Sequence, residues 1–224
     1  MTKKAIGVFD SGLGGLTILN ALRRTLPHEN LIYFGDTANV PYGSKSKEAV
    51  TRLSLAIGRF LQEQNVKLIV VACNTASAQA LDELKKKLAV PVMGVIEPGA
   101  TKAVSVTKNG HIAVLGTEGT VNSKAYPKAL LKKLPNARII QQACPLFVPL
   151  VEENWTNKPA AELIAHEYLL PIQQSRADTV ILGCTHYPVL KGVLSRILGE
   201  QVKLVDAADT LAEAAQVFLR KHHL

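Results

Sequence analysis

Leu68-Ile-Val-Val-Ala-Cys-Asn-Thr-Ala76 decides how this chain folds. Four aliphatic residues read as a buried strand, and the polar residues after it open a helix expected from Ala76 to Leu88. A related stretch recurs further on: Val70-Val-Ala-Cys-Asn-Thr75 resembles Ile181-Leu-Gly-Cys-Thr-His186 at an offset of 111. Ile6-Gly-Val-Phe-Asp-Ser11 likewise resembles Ile112-Ala-Val-Leu-Gly-Thr117 at 106, and Glu97 and Asp206, each read as ending a strand, lie 109 apart. Offsets near half of a 224-residue chain predict two related lobes, each placing a cysteine directly after its third strand.

Outward from these stretches, short strands alternate with helices. Strands are expected at 6–9, 31–34, 68–71 and 91–96, then at 112–115, 138–141, 179–182 and 202–205. Helices are expected at 16–26, from the N-cap Ser46 onward, and at 76–88, 123–134, 160–174, 189–198 and 209–221. Leu16, Leu19, Leu22 and Leu26 share one helical face; Val50, Leu53, Ile57 and Phe60 share another. This alternation specifies an α/β fold built from parallel sheets covered on both faces.

Composition narrows the function. The formal net charge is +8, but the basic residues are scattered from Lys3 to Lys221, and the densest run, Lys85-Lys86-Lys87, follows Asp82 and Glu83. Aromatic residues make up only 5%, too few for a base-stacking platform, so nucleic acid is disfavoured as a partner. No apolar run reaches a membrane span, and the start, Met1-Thr2-Lys3-Lys4, leads into too short an apolar run for a signal peptide. Cys73, Cys144 and Cys184 form no CxxC pair; reduced thiols in a cytoplasm are expected.

In parallel sheets ligands bind outside the carboxyl ends of the strands. Those ends carry Asp10-Ser11, Asp36-Thr37, Cys73-Asn74-Thr75 and Cys184-Thr185-His186. Helix N-termini beside Cys73 and Cys184 should favour their thiolates, whereas Cys144, between Ala143 and Pro145, reads as a buried structural thiol. Two thiols facing each other across a cleft suit proton exchange at a stereocentre, one taking the proton and the other returning one to the opposite face. Cys73, Cys184 and His186 lack paired metal-ligand spacing, so no metal is expected. Gly12-Leu-Gly14-Gly15-Leu-Thr17 departs from the dinucleotide fingerprint at Thr17, and Asp10 would repel a pyrophosphate. That carboxylate suits a substrate ammonium instead.

Phe9-Asp-Ser-Gly-Leu-Gly-Gly-Leu16, Gly35-Asp-Thr37, Pro41-Tyr-Gly43, Ala72-Cys-Asn-Thr75 and Gly183-Cys-Thr-His-Tyr-Pro188 together resemble the signature blocks of the glutamate racemases. Gly116-Thr117 with Thr120, and Cys144-Pro145 leading to Glu152, sit in the same family order. The resemblance implies a cofactor-independent interconversion of L- and D-glutamate that supplies peptidoglycan. It implies that Cys73, assisted by Asp10, handles the proton of the D-enantiomer, and that Cys184, assisted by Glu152 and His186, handles that of the L-enantiomer. Asp10, Ser11, Pro41, Tyr42, Gly43, Asn74, Thr75, Thr120, Thr185 and His186 would line the substrate site. The family fold implies a first lobe of residues 1–97, completed by the C-terminal helix 207–224, and a second of 98–206, with the site between them and a homodimer as one assembly. Asn39 stands where many members carry a basic residue. The chain stops near its last helix, where many members continue, and lacks the N-terminal extension of those activated by a cell-wall precursor, so such activation is not expected. Racemisation of aspartate, or a non-catalytic glutamate-binding or interaction role, including binding to DNA-processing enzymes, are the competing readings; a pure binder has no need of both cysteines.

Overall fold

The structure is a computed structural model that describes residues 4–224. Met1, Thr2 and Lys3 lie outside the described residues, and with them the first residues of the segment tested for a signal peptide. The first sheet contains β1 (Ile6–Asp10), β2 (Leu31–Gly35), β3 (Leu68–Val71) and β4 (Val92–Gly94), in the order β2-β1-β3-β4. The second contains β5 (His111–Gly116), β6 (Arg138–Ala143), β7 (Thr179–Gly183) and β8 (Lys203–Val205), in the order β6-β5-β7-β8. Every pairing is parallel, and the two orders superpose strand for strand. The internal repeat is therefore a repeat of topology. Cys73 follows β3 and Cys184 follows β7, at corresponding sheet positions.

The central strands are buried on both faces, as their unbroken aliphatic runs require. Ile6, Val8, Leu68 and Val70 pack on one side against α1 (Leu16–Thr25) and α11 (Ala208–Lys221); Phe9, Ile69 and Val71 pack on the other against α2 (Lys47–Glu63). Each such side chain taken out of water contributes about 1.5–3 kcal/mol. In the second sheet Ile112, Val114 and Ile181 face α5 (Ile96–Val106) and α7 (Ala125–Lys133), and Ala113, Val180 and Leu182 face α9 (Pro159–Gln174) and α10 (Lys191–Leu198). Leu211, Ala212, Ala215 and Leu219 of α11 thus lie in the core of the first sheet, although they come last in the chain.

Several expected elements differ. Glu97 does not end a strand: it lies in the first turn of α5, which the sequence reading lacked, and it pairs with Lys133 at 3.3 Å. Pro98-Gly99 reads as a break, yet proline is tolerated in a first turn, where its missing N–H has no intrahelical acceptor. The helix expected at 76–88 is two helices, α3 (Asn74–Gln79) and α4 (Leu81–Lys87); that expected at 123–134 is α7, and before it stands an unforeseen α6 (Glu118–Ser123), set off by Lys124 at φ +56°. A short α8 (Phe147–Glu152) was also not foreseen. Leu16 and Phe60 are about 40% exposed rather than core; Ile18 and Ala21 take the inner face of α1, and Phe60 meets Phe34 in a tilted ring contact. No described helix is long and apolar enough to cross a membrane.

Candidate active site

Asp10 ends β1 fully buried, where the β1–β3 register brings it beside the end of β3. The Gly12 N–H donates to its Oδ2 at 3.0 Å, and the Thr185 hydroxyl of the other sheet donates to its Oδ1 at 3.3 Å. Burial raises its pKa, opposed by the Gly12 N–H and by the nearby His186. Glycine is required at position 15 because a Cβ there would lie 2.5 Å from that of Asp10. Cys73 caps α3, its Sγ accepting the Ala76 N–H at 3.4 Å and donating to the Ser11 hydroxyl at 3.6 Å.

Cys184 follows β7, and His186 immediately precedes a 3₁₀ turn (Tyr187–Leu190). His186 Nδ1 lies 3.8 Å from Cys184 Sγ, and its Nε2 lies 2.9 Å from Glu152 Oε1. A carboxylate at Nε2 selects the tautomer protonated there, which leaves Nδ1 free to accept the thiol proton. Glu152 itself stands at the end of α8, half-exposed. Cys144 is buried and donates to the Gln142 carbonyl, away from this group.

N–H groups do lower both pKa values, but burial outweighs them: the Cys73 thiol is pushed up to about 11, first by desolvation and then by Asp10. Cys184 is raised further by desolvation, with Cys73 and Asp10 adding to it. Both cysteines are therefore protonated at neutral pH, and each thiol lies only 5–7% exposed.

The remaining candidates meet at the seam between the sheets. Thr75 and Thr117 hydroxyls lie 2.9 Å apart, and Thr117 donates to Thr120 at 3.1 Å. The Gly119 N–H donates to the Gly43 carbonyl at 2.8 Å; a Cβ on Gly43 would lie 2.7 Å from Thr117. Tyr42 is buried with its hydroxyl given to Asp36 at 2.6 Å, so its ring and backbone, not that hydroxyl, are what it offers. Asn39 donates to the other Asp36 oxygen, so its departure from a basic residue keeps a hydrogen bond within this loop. Pro41 stands exposed at a mouth of about 410 Å³ shared with Gly43, Thr117 and Glu152. A second mouth, about 460 Å³, is lined by Gly12, Leu13, Thr185, His186 and again Glu152. A larger hollow of about 820 Å³ elsewhere between the lobes reaches neither Cys73 nor Cys184. Among the described residues no three His, Cys, Asp or Glu side chains are grouped to hold a metal ion. Thr117 was missed as a candidate, although Thr117-x-x-Thr120 is a readable N-cap signal.

Residues 15–215 match the sequence profile of the family described as Asp/Glu/hydantoin racemase. A glutamate racemase from Geobacter metallireducens is 54% identical over 98% of this chain and 82% of its own length. The crystal structure of glutamate racemase isoform RacE1 from Bacillus anthracis superposes with a TM-score of 0.95 at 40% identity, covering 98% of this chain and 82% of that one. That from Francisella tularensis, in complex with D-glutamate, superposes at 0.93 with 39% identity, covering 99% and 82%.

Proposed function

The chain belongs to the Asp/Glu/hydantoin racemase family, and from that premise we propose how its own residues act. Its reaction is the racemisation of glutamate, an isomerisation. The D-enantiomer serves peptidoglycan synthesis. Cys73 is the base toward D-glutamate and Cys184 the base toward L-glutamate. In the D-to-L direction, the Cys73 thiolate takes the α-proton, its own proton having passed to the Asp10 carboxylate. The carbanion then takes a proton from the Cys184 thiol on its other face, and the C–H bond broken is replaced by the one formed. His186, held by Glu152, holds or returns the Cys184 proton. Carboxylates of the substrate are held by N–H and hydroxyl donors of Ser11, Asn74, Thr75, Thr120 and Thr185, so no fixed cation has to be buried with them.

One observation supports this reading: two buried thiols occupy corresponding ends of two like sheets, Asp10 acts electrostatically on both, and His186 lies beside Cys184. A lysine-bound cofactor is not part of the reading. Three unpaired thiols suit the cytoplasm. Each chain holds a complete site, whether or not two chains associate as a homodimer.

The test is chiral chromatography of the purified protein with L-glutamate, D-glutamate and L-aspartate, no cofactor being added. Glutamate of either hand should racemise and aspartate should not. Cys73→Ala and Cys184→Ala should each abolish turnover, and refolding the two variants together should restore nothing. Recovery toward roughly a quarter of the original activity, as random pairing of subunits would give, refutes the single-chain site.

A further inference from the structure

We propose that Tyr126 is a positioning residue for glutamate: its hydroxyl fixes the Asn74 carboxamide with the NH₂ group turned toward the substrate. The proposal rests on the reading of Asn74 as a substrate-holding group. Tyr126 stands at the start of α7, on the second sheet, and is fully buried. Its hydroxyl donates at 2.7 Å to Oδ1 of Asn74, which follows Cys73 on the first sheet and is 5% exposed. Nδ2 of Asn74 makes no hydrogen bond to any described residue.

A carboxamide has one accepting and one donating end, exchanged by a half-turn. A substrate carboxylate needs the donating end; the flipped amide would oppose it with a carbonyl oxygen. The Tyr126 oxygen could also accept from a flipped amide, but its own proton would then be buried with no acceptor among the described residues, so donation to Oδ1 is the favoured arrangement. The ring sits close against two glycine backbones. A Cβ on Gly99 of α5 would lie 3.2 Å from the Tyr126 hydroxyl, and one on Gly183 at the end of β7 would lie 3.2 Å from the ring edge. Phenylalanine would fill the same space without burying a hydroxyl, whose desolvation is unfavourable unless it is hydrogen-bonded. The bond to Asn74 is the one this hydroxyl makes among the described residues. Burial also raises the tyrosine pKa, so the group remains a donor across the working pH range.

The test is steady-state kinetics of Tyr126→Phe, Asn74→Ala and the double variant with both glutamate enantiomers. Losing one such hydrogen bond in Tyr126→Phe should raise KM about tenfold, with kcat within about twofold and the melting temperature within a few degrees. Asn74→Ala should raise KM at least as much, and the double variant should be no worse than Asn74→Ala alone. An unchanged KM in Tyr126→Phe, or a full further rise when it is added to Asn74→Ala, overturns the positioning role. An unchanged KM in Asn74→Ala overturns the proposal differently, by removing the reading beneath it. Asn74→Asp supplies the check that does not touch the tyrosine: it keeps an acceptor for Tyr126 but turns an oxygen to the substrate. Its KM should exceed that of Asn74→Ala, and a lower value refutes the assigned orientation.

Discussion

His186 and Glu152 are joined through Nε2 and Oε1 at 2.9 Å, a buried imidazole anchored by a half-exposed carboxylate. The pair faces only one of the two thiols, Cys184. Turnover starting from L-glutamate should therefore suffer most when it is broken. His186→Asn should lower that kcat about a hundredfold, and Glu152→Gln by less, since the imidazole remains. Because the enantiomers are mirror images, kcat/KM must fall equally in both directions; the asymmetry is read in kcat, from initial rates by circular dichroism. A change confined to KM would make His186 a binding group only.

Asp10 places stability against function. Its folded-state pKa lies above 3.8, so the stability tied to it is full below that value and is lost as pH rises through the folded pKa. At neutral pH the buried carboxylate destabilises the fold. Asp10→Asn keeps its one oxygen as acceptor for the Gly12 N–H and turns its NH₂ to the Thr185 hydroxyl, which can accept, and should raise the melting temperature by about 2–4 °C, roughly 1 kcal/mol. The same variant should lower kcat at least tenfold, by about the effect of losing a general base.

Alkaline pH should act on the two thiols in opposite senses for activity and stability. Cys73 titrates near 11 when folded against 9.0 in an open chain, so the stability it lends is complete below pH 9 and lost as pH rises through 11. Melting temperatures should decline over that window, and less steeply in Cys73→Ala. Between pH 7 and 9, kcat/KM should climb by up to about tenfold per unit as free enzyme gains thiolate. A flat profile would show that the proton leaves Cys73 only after glutamate binds.

Gly14 sets how near the glycine turn approaches the second lobe. A Cβ there would lie 2.5 Å from the Thr185 hydroxyl and 2.8 Å from His186 Nδ1. Gly14→Ala should leave the fold intact, since the turn is at the rim of a mouth, while lowering kcat/KM more than about tenfold, through a misplaced imidazole. Rates and melting curves of the one variant check both halves of this expectation.

What could be read from the chain depended on range. β3 and β7 with their cysteines were legible because aliphatic runs and the polar residues after them are local signals. The matching sheet orders made the internal repeat meaningful. α5 was hidden by Pro98-Gly99, and α8, six residues with Pro149 inside, is too short to show a helical period. The net direction of the thiol pKa shifts was not legible for a similar reason: helix N-termini are local signals, whereas the burial that outweighs them depends on the packed cores in which Cys73 and Cys184 lie. Contacts such as Thr75–Thr117 and Asn74–Tyr126 join positions 42 and 52 apart and leave no periodic trace.

The seam between the lobes is sewn by Gly43–Gly119, Thr75–Thr117, Asn74–Tyr126 and Asp10–Thr185. Glutamate cannot slip past these bonds to thiols so little exposed; they must part first. Opening thus becomes a toll common to both enantiomers, entering or leaving, and it caps the turnover that proton transfer alone would permit. Solvent viscosity should then slow both directions alike, and a thiol reagent too bulky for the closed form should react at a rate that counts the openings.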